Sequence, residues 1–374
     1  TLLGLLAFED PPKDGLAATL AELEALGIRL CMLTGDNALV ATHVARSILA
    51  AEPTVVTGSE VDALDDIALR ALAPTVDAFA ELTPTQKERI IKAVRAGGSV
   101  VGYLGDGIND AGPLHLADVG ISVDTAVDVA KSAAAMVLLD KDLDVVVSGV
   151  RLGRQTFTNT LKYVFTTVSA NFGNTASMAA ASAFLPFLPL LPRQILLLNF
   201  LSDLPSVTLA GDRVDPEDVQ GPRRWDLHQV RDFMVVFGLL SSAFDLLTFA
   251  VLLQVFDAGA TLFRTGWFVG STLTELAVLF VLRTRRPVWR SHPGHALVLT
   301  SLLVGGVTVS LPFVSAALPA LGLARPPVGL VVTLVGITGC YIVAAELTKR
   351  AFFRAGGQAT SQRAAPSRSG WMKS

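Results

Sequence analysis

The chain has 374 residues, of which 51% are hydrophobic and 17% are charged, and its formal net charge is -3. This near-neutral charge, without a run of like charges, argues against a nucleic-acid partner. The two cysteines, Cys31 and Cys340, lie far apart and away from any histidine cluster, so neither a disulfide framework nor a zinc site is predicted.

The first part of the chain, residues 1–157, alternates short apolar runs with amphipathic segments. Such alternation is typical of a parallel sheet flanked by helices, and we therefore predict an α/β domain. Its strands are predicted at 2–8, 28–33, 99–104, 119–123 and 136–139. Its helices are predicted at 14–26, around 40–48, from residue 84 onward and at 142–157.

Two polar clusters of this domain suit a phosphoryl group. Thr34, Gly35 and Asp36 follow a predicted strand and begin a helix, where a hydroxyl and backbone N–H groups can hold a phosphoryl oxygen. Lys87 lies on the helix after Pro84 and can neutralise charge on the same group. Each also has a purely structural interpretation, as a helix cap and as a solvated lysine.

A third cluster, formed by Asp106, Asn109 and Asp110, lies on a glycine-flanked turn after the next predicted strand. These hard oxygen ligands suit Mg²⁺ that is held partly by water and substrate phosphate. A tight turn with a helix cap is the alternative. Ligands of doubly wound folds bind where strands end, so the three clusters in order favour a phosphoryl-transfer site that lacks its nucleophile.

Five segments carry a resemblance to a known family. They are EDPPK (9–13), MLTGDN (32–37), TPTQK (83–87), GDGINDA (105–111) and DVGISVDTAVDVAKSAA (118–134). Together they resemble the phosphorylation domain of the P-type ATPases, which is a haloacid-dehalogenase-like fold with a Rossmann-type parallel sheet. The resemblance implies catalytic roles for the first two clusters, a catalytic Mg²⁺ on the third, and ATP as the substrate.

The family's phosphorylated residue is an aspartate in a DKTGT motif, and no DKTG string occurs in this chain. The resemblance implies that this aspartate, the nucleotide-binding and actuator domains and the first four membrane helices would precede Thr1. We therefore expect a C-terminal fragment that is inactive by itself. One departure from the family is the sequence Gly112-Pro113-Leu114, where relatives commonly have APAL.

The second part, residues 158–350, contains repeated apolar stretches of roughly 20 residues, the length that crosses a bilayer. Basic residues concentrate in 211–232 and 283–295 and after residue 348, which places these loops with the soluble domain on the cytoplasmic side. Residues 351–374 are predicted to be a disordered cytoplasmic tail. Six transmembrane helices are predicted, at 161–185, 194–210, 233–256, 267–282, 296–318 and 328–347.

Four polar residues in the first two predicted spans form a candidate cation site. Asn171 and Asn174 are three residues apart, and Asn199 and Asp203 are four apart, so each pair shares a helix face. A short proline-rich turn joins the two spans, so the faces can meet. Oxygen ligands of this kind favour a hard divalent cation; the alternative is that the asparagines only link helices.

Two further acidic residues, Asp245 and Glu275, lie within predicted spans. Ionisable groups in a membrane need partners, so either residue could pair with a neighbouring helix or line an access path. We expect structural roles for both.

The membrane part also resembles one subgroup of the family, the bacterial magnesium-transporting P-type ATPases. The resemblance rests on 169–203, RWDL (224–227), FDLLTF (244–249), TGWFVG (265–270) and RTRRP (283–287). It implies that the four candidate residues bind the transported ion and that the protein imports Mg²⁺ across the bacterial plasma membrane, in contact with lipid. Ser202 stands where relatives often have tyrosine.

Two other hypotheses remain open at this point. The chain could belong to a pump for calcium or another cation, because the residues alone do not separate Mg²⁺ from Ca²⁺. It could also be a non-enzymatic remnant, or one half of a split gene whose partner is the missing N-terminal half.

Overall fold

The computed structural model describes residues 15–49, 52–140, 142–222, 225–314 and 317–363. The chain divides into two compact units, Thr1–Leu152 and Gly153–Ser374. The strand predicted at 2–8 lies outside the described residues.

The first unit contains parallel strands and short helices. The strands are β1 (Met32–Leu33), β2 (Val55–Thr57), β3 (Ala78–Ala80), β4 (Gly102–Leu104), β5 (Val119–Val123) and β6 (Met136–Leu138). The helices are α1 (Leu16–Ala25), α2 (Ala38–Ile48), α3 (Gly58–Ala63), α4 (Asp66–Leu72), α5 (Pro84–Ala96), α6 (Ala111–Leu116) and α7 (Asp128–Ala133).

The strands form two three-stranded parallel sheets, in the orders β1-β3-β2 and β4-β5-β6. Leu33 of β1 is opposite Phe79 of β3, and Leu104 of β4 is opposite Ile121 of β5. Among the described residues, no strand links β1 to β4, so the single sheet predicted from the sequence is found as two groups. Leu33 packs against the buried residues beneath both sheets.

Helix α5 begins where its sequence predicts. The Gln86 backbone N–H donates to the Thr83 hydroxyl at 3.4 Å, and the Thr83 N–H donates to the Gln86 side-chain oxygen at 2.8 Å. This reciprocal cap, with Pro84 at the first helical position, defines the start of the helix. Ile90 and Ile91 are buried and hold one face of the helix against the domain. Lys87 lies one turn before Ile91 on this face, so its side chain is directed toward the domain.

The second unit is helical. Helix α8 (Leu143–Phe184) begins before residue 153 and is followed by α9 (Pro192–Val207), α10 (Leu227–Gln254), α11 (Ala260–Leu282), α12 (His295–Ser310), α13 (Ala317–Leu321) and α14 (Val328–Arg363). Helix α11 is central, because it packs against α9, α10, α12 and α14. Its buried side chains include Trp267 and Phe268.

Four helices within the described residues are long and apolar enough to cross a membrane. They are Leu227–Gln254, Ala260–Leu282, His295–Phe313 and Val328–Arg354. The first two predicted spans correspond to the later part of α8, which carries many polar side chains, and to α9, which has only 16 residues. The number of six spans therefore stays a prediction.

The tail predicted to be disordered begins as a helix. Helix α14 continues from the last apolar span to Arg363. The physical reason is that no proline interrupts the chain before Pro366, so the anchored helix can propagate. Residues 364–374 lie outside the described part of the chain.

Candidate functional site

The loop after β1 holds the first polar cluster in a compact turn. The Thr34 hydroxyl donates to the Asp36 carboxylate at 2.7 Å, and the Asp36 backbone N–H donates to the Thr34 hydroxyl oxygen at 3.1 Å. Asn37 then caps α2 by accepting from the Leu39 N–H at 2.9 Å. Both groups of the turn that suit a phosphoryl oxygen, the hydroxyl and the helix start, are therefore ordered by local hydrogen bonds.

The loop after β3 packs directly against this turn. The Leu82 N–H donates to the Thr34 carbonyl at 3.0 Å, and the Glu81 N–H donates to the Asp36 carbonyl at 2.8 Å. A Cβ atom at Gly35 would lie 3.4 Å from the Leu82 carbonyl oxygen, so the two loops are in close contact here. Because the loop after β3 leads into α5, these bonds bring the first cluster close to the helix that carries Lys87.

Lys87 and the third cluster are joined by an ion pair. The Lys87 ammonium lies 2.9 Å from the Asp110 carboxylate, and the two side chains are 12% and 13% exposed. The Tyr103 hydroxyl donates to the same oxygen at 2.6 Å, and the Gly107 N–H donates to the other at 3.2 Å. Lys87 and the third cluster are thus joined directly, and the first cluster is bonded to the loop that leads into the helix of Lys87.

The surroundings of Asp110 set its charge. Burial alone would raise the pKa of this carboxyl, but the hydrogen bonds from Tyr103 and Lys87, the Lys87 charge and the Gly107 N–H together hold it below its usual value. Burial and the neighbouring Asp110 raise the pKa of the Tyr103 hydroxyl. Asp110 is therefore an anion and Tyr103 a neutral donor over the ordinary pH range.

Tyr103 was not among the residues predicted from the sequence. An aromatic residue in a strand next to a glycine-rich turn reads as a core residue, and Tyr103 is indeed buried. Only its phenolic oxygen, at the polar end of the ring, reaches the site.

The donor set of the third cluster fits Mg²⁺. Asp106 and Asn109 are exposed where β4 ends, whereas Asp110 is partly buried. Within the described residues, no group of three acidic, cysteine or histidine side chains is positioned to hold a metal by itself. Mg²⁺ commonly takes only one or two protein carboxylates with water and substrate phosphate, so Asp106 and Asn109, supported by Asp110, would hold it.

A second candidate site lies in the helical unit, in a cavity of about 110 Å³ between α8, α9 and α11. This volume can hold several water molecules. Asn171 of α8 and Asn199 and Asp203 of α9 line the cavity, as does Glu275 of α11. The remaining polar lining consists of Thr166, Thr167, Ser202 and Ser206.

Asn174, the fourth predicted ligand, does not line this cavity. Its side-chain amide donates to the Glu275 carboxylate, and its oxygen accepts from the Ser271 hydroxyl at 3.2 Å. Asn174 therefore orients Glu275 rather than facing the cavity. Glu275, for which a structural role is expected, lines the cavity, because the rotation of α11, which sequence spacing does not determine, turns this residue toward it.

Asp245 lies where a structural role is expected. Its carboxylate accepts from the Ser177 hydroxyl at 2.6 Å and from the Trp267 indole N–H at 3.0 Å. The side chain is buried and does not line the cavity. Its two donors come from α8 and α11, so Asp245 links these helices to α10.

Two family descriptions match the sequence. Residues 1–118 match the haloacid dehalogenase-like hydrolases, and residues 187–351 match the C-terminal region of cation-transporting ATPases. The chain is 46% identical over 317 residues to a magnesium-transporting ATPase, P-type 1, of Salmonella typhimurium strain LT2. It is 44% identical to the protein of the same description from Escherichia coli strain K12.

More distant relatives are described as calcium-transporting. Calcium-transporting ATPase 1 of Bacillus cereus is 32% identical over 306 residues, which cover 76% of this chain and 34% of that relative. The matches to the magnesium-transporting relatives cover 83% of this chain and 35% of each relative. The chain thus spans about a third of the length of the relatives it matches.

Proposed function

Because the chain belongs to the P-type ATPases, we propose that it is the C-terminal part of an ATP-driven pump that imports Mg²⁺ across the bacterial plasma membrane. The observation that carries this proposal is the cavity between α8, α9 and α11. Among the residues that the structure describes, its lining supplies carboxylate and amide oxygens from Asp203, Glu275, Asn171 and Asn199 and no thiol or thioether. Such a set suits a hard divalent cation in a partly hydrated state.

The soluble unit would carry out the phosphoryl transfer. An aspartate from a segment upstream of Thr1 would be the nucleophile, and ATP would be the phosphoryl donor. Lys87, held by Asp110, would neutralise negative charge on the transferring group, while the Thr34 hydroxyl and the N–H groups of the same turn would orient its oxygens. Mg²⁺ at Asp106 and Asn109 would supply further charge stabilisation when bound.

The choice of Mg²⁺ over Ca²⁺ rests on similarity. Identity to the magnesium-transporting relatives is 44–46%, against 32% for the Bacillus cereus calcium-transporting relative. The position in the plasma membrane, with the soluble unit in the cytoplasm and lipid around the helices, is part of the same proposal. Four apolar helices and the basic loops support it.

The proposal is tested by ion uptake into proteoliposomes that contain the complete gene product. MgATP on the cytoplasmic side is kept constant while Mg²⁺ on the opposite side is varied, so that catalytic and transported ions are separated. Asp203→Asn and Glu275→Gln are each expected to raise the half-maximal Mg²⁺ concentration by about tenfold or more, because each removes a charged ligand. Asp245→Asn, outside the cavity, is expected to change it by less than about threefold.

Three results would contradict the proposal. Uptake that is unaffected by both cavity variants would exclude the cavity as the ion site. Selective uptake of Ca²⁺ in the same assay would identify a calcium pump. Absence of any acid-stable phosphoenzyme from the complete gene product would favour the non-enzymatic remnant.

A further inference from the structure

Three charged side chains meet at one point in the helical unit, and we call them the buried clasp: Lys162, Asp212 and Arg283. The Lys162 ammonium lies 2.7 Å and the Arg283 guanidinium 3.0 Å from the same Asp212 oxygen. The three side chains are 6%, 0% and 1% exposed. A single carboxylate oxygen therefore joins two cations that are almost fully removed from solvent.

The remaining bonds of Asp212 also hold it in place. Its second oxygen accepts from the Gly294 backbone N–H, just before α12, at 2.8 Å, and its own carbonyl accepts from the Asn159 amide at 2.9 Å. Burial alone would raise the pKa of the Asp212 carboxyl, but the Lys162 bond and charge, the Gly294 N–H and the Arg283 charge hold it below its usual value. Asp212 is therefore an anion, and its hydrogen bonds connect four segments of the unit.

The residues of the clasp lie on, or shortly after, the helices that form the cavity. Lys162 precedes Asn171 on α8 by nine residues, and Arg283 follows Glu275 at the end of α11 by eight. Asp212 follows Asp203 of α9 by nine residues. With the rise per residue of a helix, these separations place each clasp residue roughly 12–15 Å along the helix axis from the cavity residue of the same segment. The clasp therefore ties together, at one level, the three helices that supply the cavity.

Stability alone is a weak explanation for such an arrangement. Removing three charges from water is costly, and well-packed apolar side chains often serve a core equally well. The specific property of the clasp is its sensitivity to sliding. If one helix moved by one residue, about 1.5 Å, in the direction of these bonds, the distances of 2.7 and 3.0 Å would grow beyond hydrogen-bond length.

We propose that the buried clasp is a positioning device that sets the affinity of the cavity for its divalent cation by fixing the axial register of α8, α9 and α11. This inference rests on the proposed function, in which the cavity binds the transported ion. Lys162, Asp212 and Arg283 do not line the cavity and act through the residues that do.

The test compares two carboxylates in the same loop. Asp212→Asn removes the bridging charge of the clasp, and the matched control Glu217→Gln removes the exposed partner of Arg286. In the uptake assay described above, Asp212→Asn is expected to raise the half-maximal Mg²⁺ concentration by about tenfold or more while maximal uptake changes by less than about threefold. Glu217→Gln is expected to behave like the unmodified protein, because exposed pairs contribute little.

A second readout needs no cation. In a background in which Cys31, Cys340 and any cysteine of the complete gene product outside this chain are replaced by serine, Asn171→Cys places one thiol in the cavity, and its labelling rate by a small thiol reagent reports the cavity geometry. Adding Asp212→Asn is expected to change this rate by about fivefold or more, whereas adding Glu217→Gln is not. If Asp212→Asn does not fold, Asp212→Glu, which keeps the charge but lengthens the side chain, is expected to shift both readouts in the same direction.

The outcomes separate the two hypotheses. Unchanged Mg²⁺ dependence and unchanged labelling in the folded Asp212 variant would overturn the positioning role. A lower melting temperature with unchanged Mg²⁺ dependence would also overturn it, since that is the result of a merely structural role. Altered labelling in a protein whose uptake does not depend on Mg²⁺ would support the positioning of the helices and reject the proposed function.

Discussion

Asp110 accepts hydrogen bonds from three donors that lie in three different segments: Lys87 of α5, Tyr103 of β4 and the backbone of Gly107. A Cβ atom at Gly105 would lie 2.6 Å from the Asp110 Cβ atom, so only glycine allows this close approach. The carboxylate thereby holds the Lys87 ammonium at the end of the sheet. The position of the cation, and not only its presence, is what a phosphoryl-transfer site requires.

Replacing Lys87 tests this role. Lys87→Met is expected to lower the rate of phosphoenzyme formation in the complete gene product by about 100-fold or more, because it removes a positioned charge near the transferring group. The control is Lys92→Met on the same helix, whose side chain is 60% exposed and only loosely paired with Glu88. Equal rates for the two variants would show that the Lys87 charge has no role in phosphoryl transfer.

Helices α8 and α10 approach each other through small residues. The Ser242 hydroxyl donates to the Gly173 carbonyl at 3.0 Å. A Cβ atom at Gly173 would lie 2.9 Å from the Ser241 Cβ atom and 3.1 Å from the Gly238 carbonyl oxygen. Close backbone contact of this kind is the usual source of attraction between helices in lipid. It also fixes the part of α8 that carries Asn171 and Asn174.

This contact predicts that replacing glycine by alanine has a different effect in α8 than in α14. Gly173→Ala is expected to lower the free energy of unfolding by about 1–3 kcal/mol, because the added methyl group has no room. Gly336→Ala in α14, where nothing lies within 4 Å, is expected to be neutral or stabilising by up to about 1 kcal/mol. Thermal unfolding of the purified protein in detergent measures both, and equal melting temperatures would argue against the crossing.

For the molecule as a whole, the two units depend on different physical environments. The first unit has its own buried cores, around Phe79 and around Tyr103, and exposes its polar loops. The second is built around α11 and places several buried charges next to opposite ones, as in the clasp and in the pair formed by Lys349 and Glu346. Acid therefore affects each unit through a different set of carboxylates.

The acid stability of the first unit is expected to depend on Asp110. Because the pKa of its carboxyl is lowered by folding, its contribution is complete above the usual aspartate pKa of about 3.9 and decreases as the pH falls below that value. The contribution is lost once the pH passes the lowered pKa of the folded state. Hydrogen-exchange protection of β4 and α5, corrected for intrinsic exchange rates, measures the loss.

Two variants give the controls for this measurement. Asp110→Asn removes the titrating group, so protection should become less dependent on pH in this range. Asp128→Asn removes a carboxylate that is 96% exposed, so the pH dependence should remain. The same acid dependence in all three proteins would rule out Asp110 as its source.

The sequence by itself indicated the family of this chain and the chemistry that is expected of it. Hydrophobic period and turn residues identified most of the elements, including α1, α5 and β5, because these signals are local. The motif around Asp106 and Asp110 indicated the phosphoryl-transfer family, and the spacing of Asn199 and Asp203 indicated a polar helix face. All of these features depend on residues a few positions apart.

Only the tertiary structure decided which distant side chains meet. Arg283 reads as a basic loop residue, yet it is buried against Asp212, and Glu275 reads as a structural acid, yet it lines the cavity. The division of the strands into two sheets could not be predicted from the sequence either. The physical reason is that helix rotation, axial register and strand order are set by packing between segments far apart in sequence, which no local pattern encodes.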